Sequence, residues 1–407
     1  MMKKTLLFLV ILTCGLLGCK DDDSGKNRQK ALFDRTVLVY VMGENALDEF
    51  IAEELQEMRQ GATGLGNNAL VIYMDDCDKS RPPYLIRISD GQTVDSLSLG
   101  EDPISTDPKQ IRRILDLTAS RYRAKEYGLL LWGHASGWLY EDSVEQTASS
   151  RRKAFGLDSG NNWPTNNGKW INMPTLASVL EGWGQPLKFI FADCCQFQCI
   201  ESAYELRHAT EYIIGSPAEI PGEGAPYATL TRRLFAQDDH FYEGIVDAYY
   251  AQEIDGLRVP LSVIRTDKLE DFPQKTRKIL RSMASVVGQD PDLTSLIYYK
   301  GLFYSRKERM MYDMNDFMLK YAPEDEYRSW KQSLDSIVIY KKMASRWMTN
   351  NQVRFADFTM TTERYGGVSM FIPQQIPSSN YMAGHCYNEA IRKTSWYRAA
   401  GLNELGW

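Results

Sequence analysis

Five runs of strand length hold almost nothing but apolar residues: RTVLVYVMG at 35–43, ALVIYMDD at 69–76, YGLLLWGH at 127–134, LKFIFAD at 187–193 and EYIIGS at 211–216. A strand with one wet face alternates apolar and polar residues, so a run that is apolar throughout needs cover on both faces. Between the runs lie segments with apolar residues at helical spacing. Leu47, Phe50, Ile51, Leu55 and Met58 mark one over 44–58, and others fall at 108–122, 173–183 and 199–207. This alternation predicts a mainly parallel sheet between two helical layers, because parallel neighbours need a crossover, usually a helix. PYLIRIS at 83–89 reads as a further, half-exposed strand.

The chain has 407 residues, 43% of them hydrophobic. That exceeds the ~250–300 residues one core commonly serves, so a main domain plus an addition is expected. The α/β core is placed at 34–265 and a mostly helical region at 266–407. In the latter, KLEDFPQKTRKILRSMASVV, KERMMYDMNDFMLKYA and EDEYRSWKQSLDSIVIYKKM read as helices whose Met and Tyr residues pack. YGGVSMFIP at 365–373 reads as a late strand rejoining the sheet. Residues 140–169 are polar and Gly/Asn-rich and read as a long exposed loop.

At the N-terminus Lys3 and Lys4 precede an apolar stretch at 6–17 that is too short to span a bilayer. Residues 1–18 therefore read as a signal peptide. Leu16-Leu17-Gly18-Cys19 has the form of a lipobox, which makes Cys19 the lipid-modified first residue, and 19–33 a tether. The acidic tract after Cys19 is similar to the surface-export signal of Bacteroidetes lipoproteins. The expected location is the outer membrane, with exposure at the surface, held by lipid on Cys19. The formal charge of −6 becomes −8 once the two signal lysines are removed. With no basic block, nothing favours nucleic-acid binding.

Cys14 and Cys19 belong to this terminal segment, which leaves five of seven cysteines, three of them in FADCCQFQC at 191–199. An odd, clustered set argues against a disulfide framework. A Cys195–Cys199 bridge would be strained. Structural zinc wants four ligands in spaced pairs, and His208, His240 and the His385-Cys386 pair lie outside that spacing. No metal is expected at the cluster. A nucleophile remains, which needs a base and donors for an oxyanion. In such sheets reactive groups gather beyond the carboxyl ends of the strands, and two strands end in reactive residues, one at His134 and one just before Cys194 and Cys195. A thiol where strand passes into helix would also gain from the helix dipole. A histidine that merely packs is the competing reading of His134.

LLLWGHASGW, FADCCQFQCIESAYEL and IIGSPAEIPGEGAPY, in that order, resemble the clostripain family of cysteine peptidases. Trp132, His134, Gly137 and Trp138 match its histidine motif. Asp193, with Glu201 six residues after Cys195 and then Ala203-Tyr204-Glu205-Leu206, sets the register of its cysteine motif. TVLVYVMGENALDE, KAFGLDSG and YGGVSMFIP extend the likeness over 35–375. The resemblance implies a caspase-like α/β/α sandwich with a mainly parallel central sheet and a helical C-terminal region. It implies Cys195 as nucleophile and His134 as its proton partner, with the backbone amides of Ala135 and Cys195 holding the oxyanion. Cys194 and Cys199 become packing cysteines. The family has glycine where this chain has Ala135, a departure that matters if the backbone there needs positive φ.

The resemblance further implies cleavage after Arg or Lys, with Asp193 lining the S1 pocket, Glu223 on its second loop and Glu219 a weaker candidate. Several members cut themselves in the loop after the histidine strand, and Arg151, Arg152 and Lys153 offer basic residues there. Some members need calcium; Asp75, Asp76 and Asp78 can supply oxygens, but their spacing matches no known calcium loop. No other cofactor is expected. The partners are protein or peptide substrates with a basic P1 residue, and the protein is expected to be a monomer. Two alternatives stay open, namely a peptide- or surface-binding lipoprotein with a degenerate site and a peptide ligase using the same dyad.

Overall fold

The computed structural model describes residues 32–140, 155–160, 163–165, 167–287, 291–301, 309–350, 354–373 and 384–406. Cys19 and Arg151, Arg152 and Lys153 lie outside the described residues. The first half of the chain contributes strands β1 (Phe33–Met42), β2 (Ala69–Asp75), β3 (Tyr84–Ser89), β4 (Gln92–Ser98), β5 (Ala124–Trp132), β6 (Phe155–Asp158), β7 (Lys169–Ile171), β8 (Leu187–Asp193) and β9 (Tyr212–Gly215). The second half adds β10 (Leu261–Arg265), β11 (Tyr298–Gly301), β12 (Arg309–Asp313), β13 (Val338–Lys342), β14 (Arg346–Asn350), β15 (Arg354–Asp357) and β16 (Ser369–Met370).

Nine of these strands form one sheet in the order β13-β10-β9-β8-β5-β1-β2-β3-β4. Its centre, from β9 to β2, is parallel, and an antiparallel pair closes each edge. The mixed sheet with a parallel core agrees with the fold class read from the apolar runs. The reason for those runs is visible strand by strand. In β1, Val37, Val39 and Val41 enter one hydrophobic core while Leu38, Tyr40 and Met42 enter the other. Helices α1 (Asp48–Gly61), α2 (Pro108–Arg121), α3 (Met173–Trp183), α4 (Ile200–Glu205), α5 (Tyr227–Leu230) and α6 (Phe241–Ala251) cover the sheet. α1, α5 and α6 pack on the first face, and α2, α3 and α4 on the second.

Several elements differ from the sequence expectation. β4 was not anticipated; it forms a hairpin with β3 through Asp90 and Gly91, at φ 48 and 76, the two positive values that a type I′ turn requires. The late segment 365–373 does not rejoin the main sheet: Ser369–Met370 pairs with β12 in a separate three-stranded sheet. The strand that does extend the main sheet is β13, inside a stretch read as helix. Its Val338-Ile339-Tyr340 is β-branched and aromatic, which favours a strand once an edge is available. Likewise Arg309–Asp313 is a strand, and the next helix begins only after Asp313, whose carboxylate accepts the N–H groups of Asn315 at 2.9 Å and Asp316 at 3.1 Å, an N-cap.

Candidate active site

β5 and β8 run side by side, and their register pairs Trp132 with Asp193. His134 and Cys195 each stand two residues past that rung, so the carboxyl end of the sheet presents a histidine and a cysteine on neighbouring strand ends, where paired strands run ~4.8 Å apart. His134 is half-buried beside the Trp170 ring, centroids 6.2 Å apart, and its carbonyl accepts from Gly156 N at 2.8 Å.

The turn after β8 is tied to the segment that follows β9. Gln196 N donates to Ala218 O at 2.8 Å and Gln198 N to Ser216 O at 3.0 Å. This geometry holds Gln196 at φ 52, a left-handed conformation rare for a residue with a side chain. Cys195, half-buried, receives the Ile220 N–H on its Sγ at 3.4 Å. The helix dipole expected to act on Cys195 is not at hand, because α4 starts at Ile200 and the residue at its N-cap is Cys199. A donor that does reach the sulfur is the backbone amide of Ile220.

The neighbouring thiols are placed to stay protonated. Burial pushes the Cys194 thiol well up, and pushes that of Cys199 up to about 12. Cys77 is likewise raised to about 12 by partial burial and by the charge of Asp48. Cys77, Cys194, Cys195 and Cys199 are free of disulfides. Ala135 is absent from the residues with positive φ, which fall at Gly133 and Gly137 on either side. Alanine in place of the family's glycine therefore strains nothing at that position.

Asp193 is buried and accepts from Tyr227 OH at 2.6 Å, Tyr249 OH at 2.9 Å and Ala225 N at 3.0 Å. Burial raises its carboxyl, and these three donors pull against the rise. Glu223 is exposed, flanked by Gly222 and Gly224, whereas Glu219 is buried and bridged to Met348. The residue the sequence did not bring forward is Glu54 on α1. It shares the buried stripe of Ile51, Met58 and Gly61, and neither of its oxygens has a hydrogen-bond partner. Burial lifts its carboxyl to about 10, with the Asp193 charge adding to the rise, while the Trp132 indole tempers it without making a hydrogen bond. Gly224, at φ 60, lies over both carboxylates, and a Cβ there would strike Glu54 Oε1 and Asp193 Oδ2. The one sign of Glu54 in the sequence was a glutamate at the 51-54-58 spacing of an apolar stripe.

A mainly parallel sheet between helical layers, with cysteine and histidine on adjoining strand ends, is the architecture of caspase-like cysteine peptidases. Within that class the chain belongs to the clostripain family, whose model matches residues 39–399. It is accordingly a cysteine peptidase, acting on proteins or peptides. A secreted C11 cysteine protease from Bacteroides thetaiotaomicron, solved with an irreversible peptide inhibitor, is similar at 26% identity and TM-score 0.71, with 91% of this chain and 99% of that one covered. An inactive zymogen C11 protease from Parabacteroides distasonis is similar at 25% identity and TM-score 0.70, with the same coverage. No curated protein sequence matches the chain. No helix among the described residues is long and apolar enough to cross a membrane.

Proposed function

We propose that the protein is an endopeptidase that cleaves after Arg or Lys, with Cys195 as nucleophile and His134 as its proton partner. The Cys195 sulfur attacks the scissile carbonyl while the amides of Ala135 and Cys195 receive the oxyanion. His134 takes the thiol proton and gives it to the departing amine as the C–N bond breaks, and water then hydrolyses the thioester, freeing the acid and restoring the thiol. The observation that carries the choice of substrate is the acidic pair beneath Gly224: Asp193, two residues before Cys195, and the partnerless Glu54. Buried carboxyl groups of this kind are costly unless a cation meets them, and an arginine or lysine side chain supplies one. Glu223 stands at the rim of the same loop as an exposed secondary contact.

Activation by a cut after Arg152 or Lys153 belongs to the same reading, supported by the basic residues of that loop and by the existence of a zymogen among the similar proteins. So does anchoring at the outer membrane through lipid on Cys19. The decisive experiment is covalent labelling with arginyl, lysyl and aspartyl acyloxymethylketone probes, located by peptide mass spectrometry. Basic probes on Cys195 alone are the expected result. Labelling by the aspartyl probe would overturn the specificity. Absence of label even after the 151–153 loop is cut with trypsin would favour a binding protein, and transpeptidated products would favour a ligase.

A further inference from the structure

We propose that Glu44, Asp75 and Asp102 form a binding site for a calcium-like divalent cation, which fastens the segment after the 140s loop to the strand ends that bear the histidine. One ligand oxygen from each of the three carboxylates lies within 4.8 Å of the other two. A calcium ion with bonds of about 2.3–2.6 Å to oxygen spans such a set. Asp75 is the last residue of β2 and is wholly buried, Glu44 is buried in the loop after β1, and Asp102 is exposed at the mouth.

The acidic cluster alone would say little; Asp75 is what points to a ligand. Both of its oxygens are buried and neither has a hydrogen-bond partner. The Ser105 hydroxyl nearby tempers the charge but gives its hydrogen bond to Asp158 Oδ2 at 2.8 Å. Burial, with Asp158, Asp102 and Glu44 around it, drives the Asp75 carboxyl well above the carboxylate range. Asp76 and Asp78, grouped with Asp75 in the sequence, do not join it, because both turn to Arg81 at 2.5 and 2.9 Å.

The site has a structural output. Ser159 N donates to Glu44 O at 3.0 Å and Ser159 Oγ to Glu44 Oε1 at 3.2 Å. Asn45 Nδ2 donates to Leu157 O at 2.9 Å, and Gly156 N to His134 O at 2.8 Å. A cation on Glu44 and Asp75 would thus hold residues 156–159, and through them the main chain of His134.

The test uses the Cys195→Ala protein, so that self-cleavage plays no part, and measures melting temperature, calcium calorimetry and amide exchange in calcium or EDTA. Calcium is expected to raise the melting temperature by several degrees and to slow exchange at 155–160. Asp75→Asn should abolish both effects while melting in EDTA at or above the parent, since it removes a buried acid. Asp102→Asn, at an exposed position, should weaken calcium binding at least about tenfold. The proposal fails if calcium changes neither observable, or if Asp75→Asn and Asp102→Asn respond like the parent. It also fails if lowering the pH in EDTA stabilises the parent while calcium has no effect at any pH, which would mean that the corner holds only a proton.

Discussion

Asp193 and Glu54 lie under one glycine yet live in opposite circumstances. The first is held by two tyrosine hydroxyls and an amide; the second has no hydrogen-bond partner. If both select a basic P1 side chain, Asp193→Asn removes a carboxylate from the pocket and should lower kcat/KM for arginyl substrates by about 2–5 kcal/mol, roughly 30-fold to several thousand-fold. Glu54→Gln should cost less, because Glu54 is protonated until a cation arrives, and should change the ratio of arginyl to lysyl turnover. Peptide kinetics on the two variants check this, and unchanged selectivity in both would remove the acidic pair from specificity. The apolar runs pointed to His134 at the end of one strand and to the Cys194–Cys195 pair after another, and the resemblance to the family singled out Cys195. Glu54 was not legible, because Asp193, the carboxyl it lies beside, is 139 residues away in the sequence and a glutamate on a helix ordinarily faces water.

Between elements, Glu201 is a tie. From the buried face of α4 its Oε1 accepts the Phe371 N–H at 2.7 Å, fastening the late segment onto the core. Burial raises its carboxyl to about 7 from an ordinary 4.5. Between those values the folded protein keeps a proton that the unfolded chain has released. Its contribution is therefore full below about pH 4.5 and declines as pH rises through 7, by at most about 1.4 kcal/mol per unit. Glu201→Gln keeps the acceptor and removes the titration. Melting temperatures from pH 4.5 to 8 should show the variant gaining on the wild type as pH rises; a constant difference would show that Glu201 does not titrate in this range. The motif spacing made Glu201 visible as a marker of register, but its partner was hidden. Phe371 sits in a stretch placed in the main sheet, and the competing strand β13 was masked by the helical pattern before it.

For the whole molecule, two outcomes follow from the proposed maturation. The wild-type protein on prolonged incubation should yield fragments divided near 151–153, while Cys195→Ala keeps its intact mass; identical masses would remove self-cleavage. Cys19→Ser should leave the protein in the soluble fraction of cells, unlabelled by fatty acid, and persistence in the membrane fraction would count against the lipid anchor. By itself the sequence determined the layered sheet, because continuous apolar runs admit only a strand covered on both sides. It also marked the cysteine and histidine as candidates, because strand ends can be read from where those runs stop. Tertiary structure alone decided what meets at those ends: Glu54 beside Asp193, the Ile220 amide on Cys195, and Glu44, Asp75 and Asp102 at one corner. The physical reason is that burial and pairing of a charged group are set by chain segments far apart in sequence, and no local pattern records them.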